Sequence, residues 1–285
     1  MLNGDTQTVF KGNTITAKVL QRMGLYQRPG AVRKSYENDW HPVAMALSCF
    51  VAALLIISWL FEPGRGLWNQ LDLAIFRTLN STLAWGTAWQ SVWAIANWRP
   101  FDLVAGAAVF LVLWATVRHT FADRPSRGWT SLVVLVTATL VAKFATELLI
   151  DHTFVYHRPS PTAVLDGTWR LSSLVTWIEC KDTSPWSFPG DHGFVLLISA
   201  VYVTYFGHMY LKISAWLIAI IGILPRLVGG AHWSTDILVG SATMALVVSA
   251  FVFATPAHAW ILDHTPRISV FKESRAAASQ VIRAA

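Results

Sequence analysis

Three ionisable residues near the end of the chain have the types and the spacing for phosphoryl chemistry. The stretch PRLVGGAHWSTD, residues 225–236, places Arg226, His232 and Asp236 between two apolar runs. Asp236 follows His232 by one helical turn, so its carboxylate is placed to accept the proton of one ring nitrogen and leave the other as a nucleophile. Arg226 adds a planar cation that binds phosphoryl oxygens in pairs. The stretch therefore predicts nucleophilic attack on phosphorus.

Two further polar stretches supply partners for this chemistry. DHTFVYHRP, residues 151–159, contributes Arg158 as a second cation, and SFPGDHG, residues 187–193, contributes His192. His192 is placed to protonate the leaving oxygen and later to activate water. Each stretch adjoins an apolar run, and the N-terminus of a helix attracts anions through its free N–H groups and its dipole. We expect the backbone N–H of Gly190 to bind phosphate in this way.

The composition assigns these stretches to a membrane protein. Of 285 residues, 54% are hydrophobic and only 13% are charged, whereas about a quarter of the residues of a soluble domain are charged. This difference excludes an ordinary soluble enzyme. The predicted fold class is all-α, a polytopic membrane bundle of six transmembrane helices, with seven as the alternative. The apolar runs lie at 41–61, 101–118, 129–150, 192–208, 213–225 and 235–255, and the fifth is the shortest.

The stretch between the first two runs differs from all six. Residues 66–98 are rich in tryptophan and are interrupted by polar residues. This pattern favours one or two helices that lie in the membrane interface rather than another span.

The basic residues predict the orientation. With six spans, a cytoplasmic arm (1–40), the 118–128 loop and a tail (256–285) all lie on one side of the membrane domain (41–255), and the positive-inside rule makes that side cytoplasmic. The three polar stretches, including the loop 151–191, then face the periplasm or the cell exterior of an inner, cytoplasmic membrane. The net charge of +6 predicts contact with anionic lipid head groups and no nucleic-acid partner.

In its polar stretches the chain resembles the type 2 phosphatidic acid phosphatase (PAP2) superfamily of six-span lipid phosphatases and phosphotransferases. The motifs of that family read K-x-x-x-x-x-x-R-P, P-S-G-H and S-R-x-x-x-x-x-H-x-x-x-D. The resemblance is specific over roughly 130–255 and rests on topology alone before that region. The matching residues are Arg158, Pro159, Pro189, His192, Arg226, His232 and Asp236, whereas Asp151, Gly190, Asp191 and Pro225 depart from the family pattern.

The resemblance implies a phosphohistidine enzyme that uses no metal and no cofactor. His232 would be the nucleophile, Arg158 and Arg226 would bind the phosphate, and the substrate would be a lipid phosphate or diphosphate of the polyprenyl, lipid A or phospholipid type. A phosphatase is the first hypothesis. The second is a phosphotransferase that passes the group to another lipid or to a glycan, with the 160–186 loop shaping the acceptor pocket. The third is a non-catalytic lipid-phosphate binder or transporter.

The aspartate at position 151 is the largest departure from the family, because it replaces a cation with an anion. Lys143 stands about 12 Å away along one helix face, so we expect it to pair with Glu147 instead. Three side chains are better placed by loop geometry to supply the missing cation, namely Lys181, Arg170 and His157. Alternatively, Asp151 orients His157 or Arg158, or receives a proton from an acceptor. Asp191 is expected to modulate the protonation of its neighbour His192.

Overall fold

The protein is described by a computed structural model over residues 40–122, 124–150 and 158–264. Within these ranges no β-strand forms, and extended pairing is limited to one bridge between Trp98 and Cys180. The all-α prediction is therefore confirmed. The helices, numbered in chain order, are α1 Pro42–Leu60, α2 Gly64–Ser81, α3 Thr87–Ala96, α4 Phe101–Thr120, α5 Pro125–Leu149, α6 Pro161–Val164, α7 Leu171–Leu174, α8 Asp191–Phe206, α9 Met209–Val228, α10 Asp236–Phe253 and α11 Ala257–His264.

Six apolar helices account for the expected spans. Five of them, α1, α4, α5, α9 and α10, are long and apolar enough to cross a membrane, and α8 is a shorter apolar helix of 16 residues. A helix of 20 residues spans about 30 Å, which matches the hydrocarbon core of a bilayer. The expectation that the fifth span is the shortest is wrong, because α9 has 20 residues.

α9 extends beyond the expected run 213–225 by four residues at its start and by three at its end, where it enters the third motif. Pro225 and Arg226 lie in its last turn, where the charge of Arg226 is paired with Asp102 of α4. The stretch 225–236 therefore belongs in part to the end of α9 and reaches α10 only at its last residue. Its first four residues end α9, Gly230 turns the chain with a φ of 78°, and α10 begins at Asp236.

Residues 66–98 form helices, as the sequence predicts. Neither α2 nor α3 is among the helices long and apolar enough to cross a membrane. However, α2 does more than cover the surface of the bundle, because it buries Asp72, Phe76 and Asn80. These residues are four apart and form one face of the helix. The location of α2 and α3 in the membrane interface remains a prediction.

The helices alternate in direction, so the motifs meet at one end of the bundle, here called the motif end. There α4, α8 and α10 begin and α5 and α9 end, as shown by the contacts of Arg226 with Asp102 and of Gly190 with Asp236. At the opposite end, the Thr120 hydroxyl donates to the Phe206 carbonyl at 2.6 Å. Which end faces the cytoplasm remains a prediction, and most of the arm and tail, 1–39 and 265–285, lies outside the described residues.

Candidate active site

His232 lies in the turn that follows α9, and its ring is buried and oriented by two acceptors. Its Nδ1 is 2.8 Å from the carbonyl oxygen of Ser187 and 3.2 Å from Oδ2 of Asp236. Because a carbonyl oxygen only accepts hydrogen bonds, Nδ1 must carry the proton. The neutral ring then has its lone pair on Nε2. This is the protonation state that a histidine nucleophile requires.

Asp236, the first residue of α10, is fully buried. Its Oδ2 accepts the Trp233 backbone N–H at 2.8 Å in addition to the His232 contact. Its Oδ1 has no hydrogen-bond partner among the described residues and lies 3.7 Å from Nη1 of Arg158. The carboxylate therefore stands between the histidine and the first arginine.

Arg158 is held in place on three sides. Nη2 donates to Oδ2 of Asp72 at 2.6 Å, and Nη1 donates to the Thr235 hydroxyl at 2.6 Å. The guanidinium carbon lies 4.6 Å from the centre of the Trp233 ring, a distance that favours cation–π attraction. The first and third motifs are therefore joined through this one side chain.

Arg226 is almost fully buried and points back toward α4. Its Nη2 lies 2.6 and 2.8 Å from the two carboxylate oxygens of Asp102. Its Nη1 donates to Asn97, to both the backbone carbonyl and the side-chain oxygen, at 3.2 and 3.3 Å. Asn97 in turn donates to the Pro225 carbonyl at 2.8 Å. Asn97, which precedes α4, and Asp102, in the first turn of α4, thus fix the second arginine.

The second motif begins α8, with Gly190 packed against α10. The N–H of Gly190 donates to the Asp236 carbonyl at 3.1 Å. A Cβ at this position would lie 2.5 Å from Cδ1 of Ile237, so a larger residue would require the Ile237 side chain to move. The N–H of Gly190 is thus engaged within the protein, and a role for Gly190 in phosphate binding remains a prediction.

His192 lies in the first turn of α8 and is half-buried. Its ring hydrogen-bonds to the Gly222 backbone of α9, and it lies within electrostatic reach of Arg226, His232 and Asp102. All three motifs therefore converge at the motif end. In the described part of the chain, no group of three or more His, Cys, Asp or Glu residues is arranged to hold a metal ion.

The side chains expected to modulate the site have different surroundings. Lys143 pairs with Glu147 at 3.1 Å, as predicted, and also with Asp191 at 2.7 Å. The Asp191 carboxylate is thus paired with a lysine of α5. Arg170 lies 3.7 Å from buried Asp182 of its own loop. Asp151 and His157 lie outside the described residues.

The backbone of Lys181 and the side chain of Arg226 both hydrogen-bond to Asn97. The Lys181 backbone N–H donates to the Asn97 carbonyl at 3.1 Å, and Nη1 of Arg226 donates to that same oxygen. Desolvation lowers the pKa of Lys181, and the positive charge of Arg226 lowers it further. Of Lys181 and Arg170, the two candidates for the missing cation that the structure describes, Lys181 is therefore the one that shares a hydrogen-bond acceptor with a motif arginine.

Sequence reasoning missed the residues that support the motif side chains. Asp72, Asn97 and Asp102 precede the motifs by many residues, and Ser187 acts through its carbonyl. One signal was available in the sequence. Asp72 shares a helix face with Phe76, and a carboxylate on the apolar face of a helix requires a buried partner.

Comparison with known proteins agrees with this geometry. The family model of the PAP2 superfamily matches residues 131–260, a range that contains all three motifs. Lipid A 1-diphosphate synthase of Escherichia coli (strain K12) is 33% identical over 210 residues, which cover 72% of this chain and 85% of that protein. No solved structure matches the chain. The chain belongs to the PAP2 superfamily and is a membrane lipid phosphatase or phosphotransferase.

Proposed function

We propose that the chain takes a phosphoryl group from a lipid diphosphate onto His232 and passes it to a phosphate of lipid A, at the extracytoplasmic face of an inner membrane. The observation that carries this proposal is the orientation of His232. The Ser187 carbonyl and Asp236 both hold Nδ1–H, which leaves Nε2 as the nucleophile near Arg158 and His192.

In the first step, the Nε2 lone pair attacks the terminal phosphorus of the donor. The N–P bond forms as the bridging P–O bond breaks, and His192 gives a proton to the departing lipid phosphate. The charge that grows on the phosphoryl oxygens is stabilised by Arg158 and Arg226. The positive charge on the His232 ring is balanced by Asp236.

In the second step, the acceptor attacks the phosphohistidine and His192 takes the proton of the attacking group. The new P–O bond forms as the N–P bond breaks, which returns His232 to its neutral state. The name of the E. coli relative favours a lipid A phosphate as the acceptor, because a 1-diphosphate is made by adding a phosphoryl group and not by removing one. Hydrolysis follows the same two steps with water as the acceptor.

Lys181 is proposed to supply the cation that the family lysine provides elsewhere. Its anchorage to Asn97, beside Arg226, supports this role. A diphosphate donor carries more negative charge than a monophosphate, so a third cation beside the two arginines favours its binding.

The test uses the purified full chain in detergent with a polyprenyl diphosphate labelled on its terminal phosphate. With lipid A added, label should appear on lipid A, and His232→Ala should abolish this transfer. Without an acceptor, label should remain on the protein in an acid-labile, base-stable form. Release of inorganic phosphate alone, even with lipid A present, would identify a phosphatase instead.

A metal chelator tests the proposed absence of a metal in the mechanism. Transfer should be unchanged in EDTA. Activity that is lost in EDTA and restored by a divalent cation would contradict a mechanism that relies on the two arginines alone.

A further inference from the structure

A buried carboxylate outside all three motifs touches two of them. Asp72, on the inner face of α2, is only 1% exposed. Its Oδ1 accepts the Ser234 hydroxyl at 2.6 Å and the Thr235 N–H at 2.9 Å. Its Oδ2 accepts the Thr235 hydroxyl and Nη2 of Arg158, both at 2.6 Å. All four hydrogen bonds come from the first and third motifs.

Such an arrangement is costly unless every partner is present. An ionised carboxylate removed from water needs a paired cation and several donors to offset its lost hydration. Asp72 has both, and its cation is a phosphate-binding arginine. The carboxylate therefore fixes Arg158 relative to the segment that joins His232 to Asp236.

The contacts of Arg158 leave the rest of its guanidinium available. A guanidinium has five N–H donors, and among the described residues two of them are used, one by Asp72 and one by Thr235. The Trp233 ring lies against the guanidinium. The remaining donors are held in a fixed plane, which suits the bidentate recognition of phosphoryl oxygens.

We propose that Asp72 is a positioning residue for phosphoryl transfer, which acts by holding Arg158 where the charge develops in the transition state. This inference rests on the proposed function, since it assumes that Arg158 binds the transferred group. Positioning of this kind acts on the transition state more than on ground-state binding, so its loss should lower kcat more than it raises KM.

The decisive variant is Asp72→Asn. The amide oxygen still accepts from Ser234 and from the Thr235 backbone, but the amide nitrogen cannot accept from Arg158. We expect kcat to fall on the order of 10- to 100-fold, the effect of one charge-assisted hydrogen bond, with little change in KM. Inhibition by orthovanadate, a mimic of the five-coordinate phosphoryl group, should weaken by a similar factor.

A double-mutant cycle separates positioning from folding. In an Arg158→Ala background, Asp72→Asn should cost less than about threefold in kcat, because the partner through which Asp72 acts is gone. Asn80→Ala is the matched control. Asn80 lies on the same face of α2, is also buried, and donates to the carbonyls of Trp169 and Val228. Its loss should lower the melting temperature without weakening the inhibition by orthovanadate relative to the binding of substrate.

Three results would overturn the inference. They are a kcat within twofold of wild type for Asp72→Asn, a loss in that variant that adds in full to the loss in Arg158→Ala, and an equal weakening of vanadate inhibition by Asn80→Ala. If Asp72→Asn does not fold, Asp72→Glu, which keeps the charge and moves it by one methylene, should show the same loss in kcat in smaller degree. If the wild type binds orthovanadate but transfers no phosphate between lipids, and Asp72→Asn weakens that binding, the proposed function is refuted and this inference stands.

Discussion

Two buried histidines lie at opposite ends of the bundle, and their surroundings differ. His232, at the motif end, is 7% exposed, and His258, at the other end, is 4% exposed. The Nδ1 of His232 faces a carbonyl and a carboxylate. His258 instead bonds through Nε2 to the Ser131 hydroxyl at 2.9 Å and packs 4.8 Å from the Phe206 ring, centre to centre.

The difference shows that burial alone does not identify a reactive histidine. The partners of His232 bind only one tautomer, which leaves the free lone pair on Nε2. A hydroxyl both donates and accepts, so Ser131 accommodates either tautomer of His258. Burial holds the pKa of His258 at about 4, so this ring is neutral at physiological pH and serves packing.

The largest effect expected from this comparison is that of His232→Ala. Removal of the nucleophile should lower kcat by roughly 10⁴-fold or more, while the melting temperature changes little. Rates of label transfer and thermal unfolding in detergent check both parts. Substantial transfer by this variant would assign the nucleophile to another residue.

Asp236→Asn should have a smaller effect, about 10²-fold in kcat. The loss of a triad carboxylate can cost about 10⁴-fold where it alone sets the histidine tautomer. Here the Ser187 carbonyl is closer to Nδ1 than the carboxylate is, so the tautomer should persist and only charge stabilisation is lost. A loss as large as that of His232→Ala would show that the carbonyl does not orient the ring.

Lys181→Ala should raise KM for a diphosphate donor by roughly tenfold and leave kcat within a few-fold. The pH profile sharpens this prediction. Because the pKa of Lys181 is lowered and the protonated form binds phosphate, KM should begin to rise on the alkaline side at a lower pH than for an ordinary lysine. Lys181→Arg should abolish that rise, and an unchanged profile in Lys181→Arg would exclude Lys181 as its source.

The smallest effect on activity is expected at the other end, for His258→Phe. The pKa of His258 is about 4 in the folded chain against 6.5 for an ordinary histidine, so the unfolded chain binds more protons between these values. Wild-type stability should therefore fall as the pH drops from 6.5 toward 4, by up to about 3 kcal/mol. The phenylalanine variant should lack this dependence and keep its transfer rate within about twofold. Loss of transfer in this variant would contradict the assignment of His258 to packing alone.

Much of the fold and the reactive side chains could be predicted, because apolar length and motif spacing are local properties. Spans form where apolar runs are long enough, and the spacing of four residues predicts the contact between His232 and Asp236. The contact forms in the turn before α10, however, and not along a helix. The ends of α9 could not be predicted in full. At its C-terminal end the helix continues through Arg226, whose charge is paired with Asp102, far away in sequence.

The supporting contacts escaped prediction for a related reason. Ser187 orients His232 through a backbone carbonyl, which every residue type possesses. The N–H of Gly190 is used by Asp236, a partner that only the close packing of α8 on α10 reveals. The position of Asp72 on the apolar face of α2 indicates that it needs a buried partner, but it does not indicate that this partner is Arg158, 86 residues further along the chain.

The carboxylates that hold the two motif arginines limit which segments can be exchanged between members of the family. Asp72 and Asp102 both precede residue 131, where the family match begins. A chimera that joins residues 131–260 to the N-terminal half of another family member would retain every motif residue and lose both arginine partners. Such a protein would be inserted with intact motifs and yet be inactive, unless its new N-terminal half brought carboxylates to the same two places.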